Sequence, residues 1–171
     1  MKQLASYALA AAMALAAPAY AQAPNDAQIA HIAYSAGQID IAAGQQALHR
    51  SHNRAVRAFA QTMVRDHAAV NRQAVALVTR LHVTPEANPT SAALSVQATA
   101  TLRRLAGLHG AAFDRAYVAN EVAYHRTVNG ALRDTLIPAA HNADLKALLQ
   151  SGLALFSEHQ AHAEHLAQQL R

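Results

Sequence analysis

The stretch Ala55–Leu81, AVRAFAQTMVRDHAAVNRQAVALVTRL, keeps its apolar residues at helical spacing for about seven turns. Val56, Met63, Val70 and Leu77 form one line at a seven-residue step, and Ala60, His67, Ala74 and Leu81 form the line beside it. Two adjacent lines make the wide apolar stripe that a helix buries against its neighbours. His67 therefore falls in the middle of a buried seam. A lone histidine there is ordinarily a satisfied core residue. What changes the reading is that each of the other long helices also directs a polar residue inward near its midpoint.

The composition around this helix fits one all-α domain: 171 residues, 53% hydrophobic, with five Pro and six Gly. Alanine supplies much of the apolar content; it is the best helix former and lets helices approach closely. Met1–Ala21 reads as an export signal, with Lys2 at its start, an apolar run from Leu4 to Ala17, and Pro18-Ala19-Tyr20-Ala21 as a small-x-small cleavage site. Cleavage after Ala21 leaves residues 22–171, or 171 − 21 = 150 residues, as a single helical domain. The expected location is the periplasm or the outside of the cell. No segment after the signal is apolar enough to span a bilayer.

The chain contains no cysteine, which excludes thiolate metal sites and thiol nucleophiles and leaves the core to hold the fold alone. Its formal charge of +4 is dispersed as single arginines (Arg50, Arg54, Arg57, Arg65, Arg72, Arg80) among acids. A nucleic-acid face needs clustered positive charge, so no nucleic-acid partner is expected. The eleven histidines are the more unusual feature.

Taken in order, Asn25 or Asp26 caps a first helix that carries Asp40 on its apolar face and ends near His49. The link Arg50–Asn53 is short, which makes the first and second helices antiparallel neighbours. In such a hairpin, positions with equal residue-number sums lie at the same height. Asp40 and His67 share a layer by that rule. The segment Thr84–Thr90 holds two prolines and cannot continue a helix. Leu94–Leu108 suits a short helix inside a long crossover, after which Gly107 and Gly110 break it. A crossover of this length makes helices 2 and 3 parallel, the arrangement of a ferritin-like four-helix bundle. The third helix is expected from Ala111 to Ile137, stopped by Pro138, with Glu121 and His125 on its inner stripe. Asn142 caps a fourth helix, on which His159 and His162 point close to the core and Glu158 and His165 lie to the side. The sums of His125 with His159 and of Glu121 with His162 both centre on Asn142, where the turn is expected.

Asp40, His67, Glu121, His125, His159 and His162 are thus six polar side chains, from four helices, expected at one depth. Imidazole and carboxylate together are the usual ligands of zinc, iron, copper, nickel or manganese. The familiar di-iron pattern uses two Glu-x-x-His motifs; the chain has Glu121-x-x-x-His125 and Glu158-x-x-x-His162 instead, which better suits one transition-metal ion than two. The competing expectation is a metal-free layer in which the histidines bond the carboxylates. His31, His49, His52, His82, His109 and His141 fall at helix ends or links and read as surface residues. No serine sits with a base and an orienting acid, and no glycine-rich phosphate loop occurs.

Phe59-Ala60-Gln61-Thr62-Met63-Val64-Arg65-Asp66-His67 and Ala111-Ala112-Phe113-Asp114-Arg115-Ala116-Tyr117, with His125 and Glu158-His159, resemble the domain of unknown function 4142 family of exported bacterial proteins. The resemblance covers about Asp26 to Leu170. It implies a periplasmic ferritin-like domain without an agreed activity, and it supports Asp66, His67, His125 and His159 as motif positions. Asp66 is lateral on the helical count and is expected to orient His67 from outside the ligand set, with Glu158 in a similar outer position. Fold analogy does not supply a ferroxidase or peroxidase activity. The expectation is a protein that binds rather than one that catalyses, holding a metal ion for storage, sensing or stress protection. The alternative is a non-catalytic envelope structural or interaction module with a hydrogen-bonded His/Asp core layer. The sequence names no partner and leaves assembly into a homo-oligomer open.

Overall fold

The computed structural model describes residues 23–171. The export segment expected over Met1–Ala21 lies outside them. Five long helices form, α1 (Asp26–Arg50), α2 (Arg54–Arg80), α3 (Pro89–Ala106), α4 (Gly110–Ala131) and α6 (Ala143–Gln169), with a π-helical turn (Leu132–Leu136) and the short α5 (Ile137–Ala139) between α4 and α6. No strand occurs among the described residues.

Local chemistry sets the boundaries. Asn25 caps α1 in a capping box with Gln28, Asn53 accepts from the N–H groups of Ala55 and Val56 at the start of α2, and Asn142 does the same for Asp144 and Leu145 at the start of α6. The crossover helix begins earlier than the apolar pattern indicates. Asn88 and Ser91 form a capping box, and Pro89 occupies the first turn, where its missing N–H costs nothing. Gly110, at φ +52°, lets the chain reverse from α3 into α4.

Pro138 does not stop the helix after Ile137. The backbone widens into the π turn first, where the Ile137 N–H reaches back to the Leu132 carbonyl, and helical structure continues through Pro138 to Ala139. A proline ring collides with the carbonyl four residues earlier in a regular helix, and a widened turn is one way to absorb that collision.

Contacts at the two ends fix the directions. Asp26 at the start of α1 accepts from the backbone N–H groups of His141 and Asn142, both at 2.9 Å, and Arg80 at the end of α2 pairs with Asp144 at 2.9 Å. At the other end Arg50 donates to the Leu108 carbonyl and Gln46 to that of Leu102. Thus α2 and α4 run the same way, and α3 returns between them alongside α1. Gly37 and Gly44 let α1 and α2 approach: a Cβ at Gly37 would fall 2.3 Å from Asn71 Oδ1, and one at Gly44 would fall 2.9 Å from Val64 Cγ2. No helix is long and apolar enough to cross a membrane among the described residues.

The interior divides into two apolar clusters. Toward one end lie Ala43, Val56, Phe59, Met63, Phe113, Val118 and Leu166; toward the other lie Ile29, Ile32, Leu77, Leu132, Leu149 and Phe156. Between them every one of α1, α2, α4 and α6 turns a buried polar residue inward: Asp40, His67, Glu121 with His125, and His159. The polar layer is therefore a feature of the whole packing arrangement.

Candidate metal centre

The three imidazoles of the layer face one another almost symmetrically, with ring centroids 5.6 Å apart for His67 and His125, 5.4 Å for His67 and His159, and 5.6 Å for His125 and His159. Phe156 stacks on His67 at 4.4 Å with an interplanar angle of 8°, closing that side of the group. Asp40 enters from α1, its Oδ2 at 2.5 Å from His67 Nε2 and 3.5 Å from His125 Nε2. The first of these contacts is close but lacks the alignment of a hydrogen bond, so both atoms remain without a directed partner.

Hydrogen bonds to the outer ring nitrogens decide where the bare nitrogens lie. His125 Nδ1 is 3.0 Å from the Glu121 carbonyl oxygen, which can only accept; Nδ1 therefore carries the proton and Nε2 is left with a lone pair. His159 Nε2 lies 3.0 Å from Asp66 Oδ2, a carboxylate oxygen that likewise accepts, so His159 Nδ1 is the bare nitrogen and is buried without a partner. Both oxygens of Asp40, both nitrogens of His67, Glu121 Oε2 and His125 Nε2 are also buried and unpartnered among the described residues. Native interiors rarely leave such atoms unpaired. An imidazole whose outer N–H is held by a carbonyl or carboxylate, with the inner nitrogen bare, is the usual state of a metal-ligating histidine.

The electrostatics agree. Burial alone would raise the Asp40 carboxyl, but the close approach of the His67 ring nitrogen and the positive charge that His67 and His125 can carry outweigh it and hold Asp40 below the usual carboxylate range. Burial pushes Glu121 well above the ordinary value, and the neighbouring Asp40 charge adds to the rise, so Glu121 keeps its proton. Burial lowers His125, with Asp40 opposing, and lowers His159 to about 4. At neutral pH the layer thus offers one carboxylate anion and two neutral imidazoles with bare nitrogens, which need lose no proton to bind a cation. Two overlapping groups could hold an ion: His67, His125 and His159, and Asp40, Glu121 and His125, the donor atoms within each lying within 4.8 Å of one another.

The sequence profile of the family described as Domain of unknown function (DUF4142) matches residues 10–166. The chain belongs to that family. No curated protein and no solved structure matches it. Membership in DUF4142 carries no assigned activity, so the chemistry of this DUF4142 chain rests on its own residues.

Of the six ligand candidates, the structure brings together Asp40, His67, Glu121, His125 and His159 and keeps His162 apart. His162 is exposed and sets its ring edge-on against Phe59 at 5.1 Å. Three helical steps turn it about 60° away from His159, whereas the next residue, Ala163, completes the turn and is fully buried. Glu158 is also exposed, one step from the buried His159 being about 100° of rotation. Asp66 does lie outside the ligand set, but it holds His159 across the helix interface, not His67 beside it in sequence. Phe156 escaped the sequence reading because an aromatic residue on an apolar stripe carries no polar signal. Tyr124 packs on α1, donating its hydroxyl proton to the Ala36 carbonyl at 2.8 Å.

Proposed function

We propose that this chain is an exported ferritin-like four-helix bundle that binds one divalent transition-metal ion in its polar layer, in a storage, sensing or stress-protection role. His67, His125 and His159 would supply nitrogen and Asp40 the balancing carboxylate; this donor set suits zinc, iron, copper, nickel or manganese. The observation that carries the reading is the pair of outer-nitrogen hydrogen bonds, from His125 to the Glu121 carbonyl and from His159 to Asp66, which leave bare nitrogens inside a buried layer. Glu121, holding its proton beside Asp40, adds a fifth donor once that proton is released. A bound ion would supply a positive charge that neutralises Asp40 and fixes the three rings. Support for export is the composition of Met1–Ala21; support for the ferritin-like arrangement is the parallel course of α2 and α4 joined by a long crossover.

A second reading is favoured by the 2.5 Å approach of His67 to Asp40: the layer serves as a metal-free register device in an envelope interaction module. Melting the purified protein with and without a strong chelator separates the two. The metal reading predicts a clear fall in melting temperature on chelation, since a ligand bound only by the folded state stabilises it. An unchanged melting temperature favours the register device.

A further inference from the structure

Below the histidine layer the helices do not close on one another. A cavity of about 370 Å³ runs between them, walled mainly by Ile32, Val70, Leu77, Val128, Leu132 and Leu149. It exists because facing positions carry residues too small to meet: Ala33 and Ala36 on α1, Ala74 on α2, Ala131 on α4 and Gly152 on α6. We propose that this cavity is a binding site for an apolar small molecule, of one to two rings or a short acyl chain, which rests its inner end against the histidine layer.

Three features argue for it. An apolar cavity of about 150 Å³ stays dry and takes up benzene, so one of about 370 Å³ has room for a molecule about twice as large. Unfilled apolar volume deprives its lining of dispersion contacts, and an apolar occupant restores them without any polar group to desolvate. The cavity is also reachable: among its lining residues Thr90 on α3 and Thr127, Ala131 and Thr135 around the end of α4 are exposed and mark the mouth. A peptide helix is too wide to enter, which leaves small molecules as occupants.

Its position gives the site a use. His67, His125 and Phe156 belong both to the cavity wall and to the polar layer. An occupant therefore touches the same rings that the layer positions. The binding itself does not depend on the metal reading, since the lining is complete without an ion.

The test uses metal-free protein and the neutral fluorophore N-phenyl-1-naphthylamine. The expected result is saturable enhancement at one site per chain, competed by toluene, and weakened at least about tenfold in Ala74→Phe and in Gly152→Leu, each of which puts carbon into the void while helical circular dichroism is retained. Toluene also raises the melting temperature of the unsubstituted protein, a readout that needs no variant to fold. Failure of toluene to raise it, non-saturable fluorescence, or unchanged affinity in both folded variants would overturn the proposal. Because every arm is run without metal, its failure leaves the metal reading standing, and the reverse also holds.

Discussion

Asp66 on α2 accepts a hydrogen bond from His159 Nε2 on α6 at 3.0 Å, tying together two helices whose residues are 93 apart in sequence. Arg65 donates to the same carboxylate at 2.7 Å, and that bond, opposed by partial burial and helped by His159, keeps Asp66 below the ordinary carboxylate range. Asp66→Ala removes the partner that fixes the His159 ring and its tautomer. The expected outcome is a loss of about 10- to 100-fold in metal affinity, read by competition with a chelator of known strength. The far-ultraviolet circular dichroism should not change. Unchanged affinity would show that Asp66 is a surface ion-pair residue only.

Asp40 is the one ionised carboxylate in the layer, and it is fully buried. Asp40→Asn keeps its shape and removes its charge. Metal binding should fall by at least tenfold, and the metal-free protein should lose about 1–3 kcal/mol of stability, as expected when a buried charged acceptor beside imidazoles is lost. Urea unfolding of both forms, with chelator present, supplies the second number. A variant that binds metal as tightly as the parent would remove Asp40 from the ligand set.

The depressed histidines give the metal-free protein a pH dependence with a definite sign. His159 titrates near 6.5 when unfolded and at about 4 when folded, chiefly because of burial, and His125 is lowered for the same reason. Between those values the unfolded chain takes up protons that the folded histidines refuse, so the stability these rings contribute falls as pH drops from about 6.5 and is lost below about 4, while Glu121, whose carboxyl is raised, contributes with the opposite sign. His159→Gln removes the share that His159 contributes, so the melting temperature of the parent should fall relative to that of the variant as pH goes from 7 to 4.5. A difference between parent and variant that stays constant over that range would contradict the neutral, buried state of the His159 ring.

Gly44 sits inside α1, where alanine would ordinarily favour the helix by about 1 kcal/mol. Here a Cβ would stand 2.9 Å from Val64 Cγ2 and 3.2 Å from the Ala60 carbonyl oxygen, and the latter belongs to backbone that cannot turn aside. Gly44→Ala is therefore expected to destabilise by about 1–3 kcal/mol, measured by denaturant unfolding. A more stable variant would mean that α1 and α2 are not held at this separation.

Much of this arrangement was legible in the residues because helices impose a fixed period. Equal residue-number sums across a short hairpin put Asp40 level with His67, and the structure holds them at 2.5 Å. The same rule linked Glu121 to His162 and failed, because height along a helix says nothing of rotation around it, and His162 is exposed. Asp66 was legible as a lateral residue, but its partner depends on which helix lies beside α2, a tertiary fact that spacing along α2 does not contain. The π turn before Pro138 was hidden for a related reason: a proline signals that a regular helix must change, and packing decides whether it ends or widens. The cavity was least visible of all, since alanine and glycine at Ala36, Ala74 and Gly152 read equally well as close contact or as empty space.

The central claim is that the polar layer binds one metal ion, and metal content per chain tests it most directly. The protein would be purified without a tag and assayed by elemental analysis, after equilibration with a divalent transition metal and removal of the excess, beside His67→Ala and His125→Ala. The account predicts close to one ion per chain in the parent and little in either variant. Equal, negligible metal in all three, or equal loading in parent and variants, would contradict it.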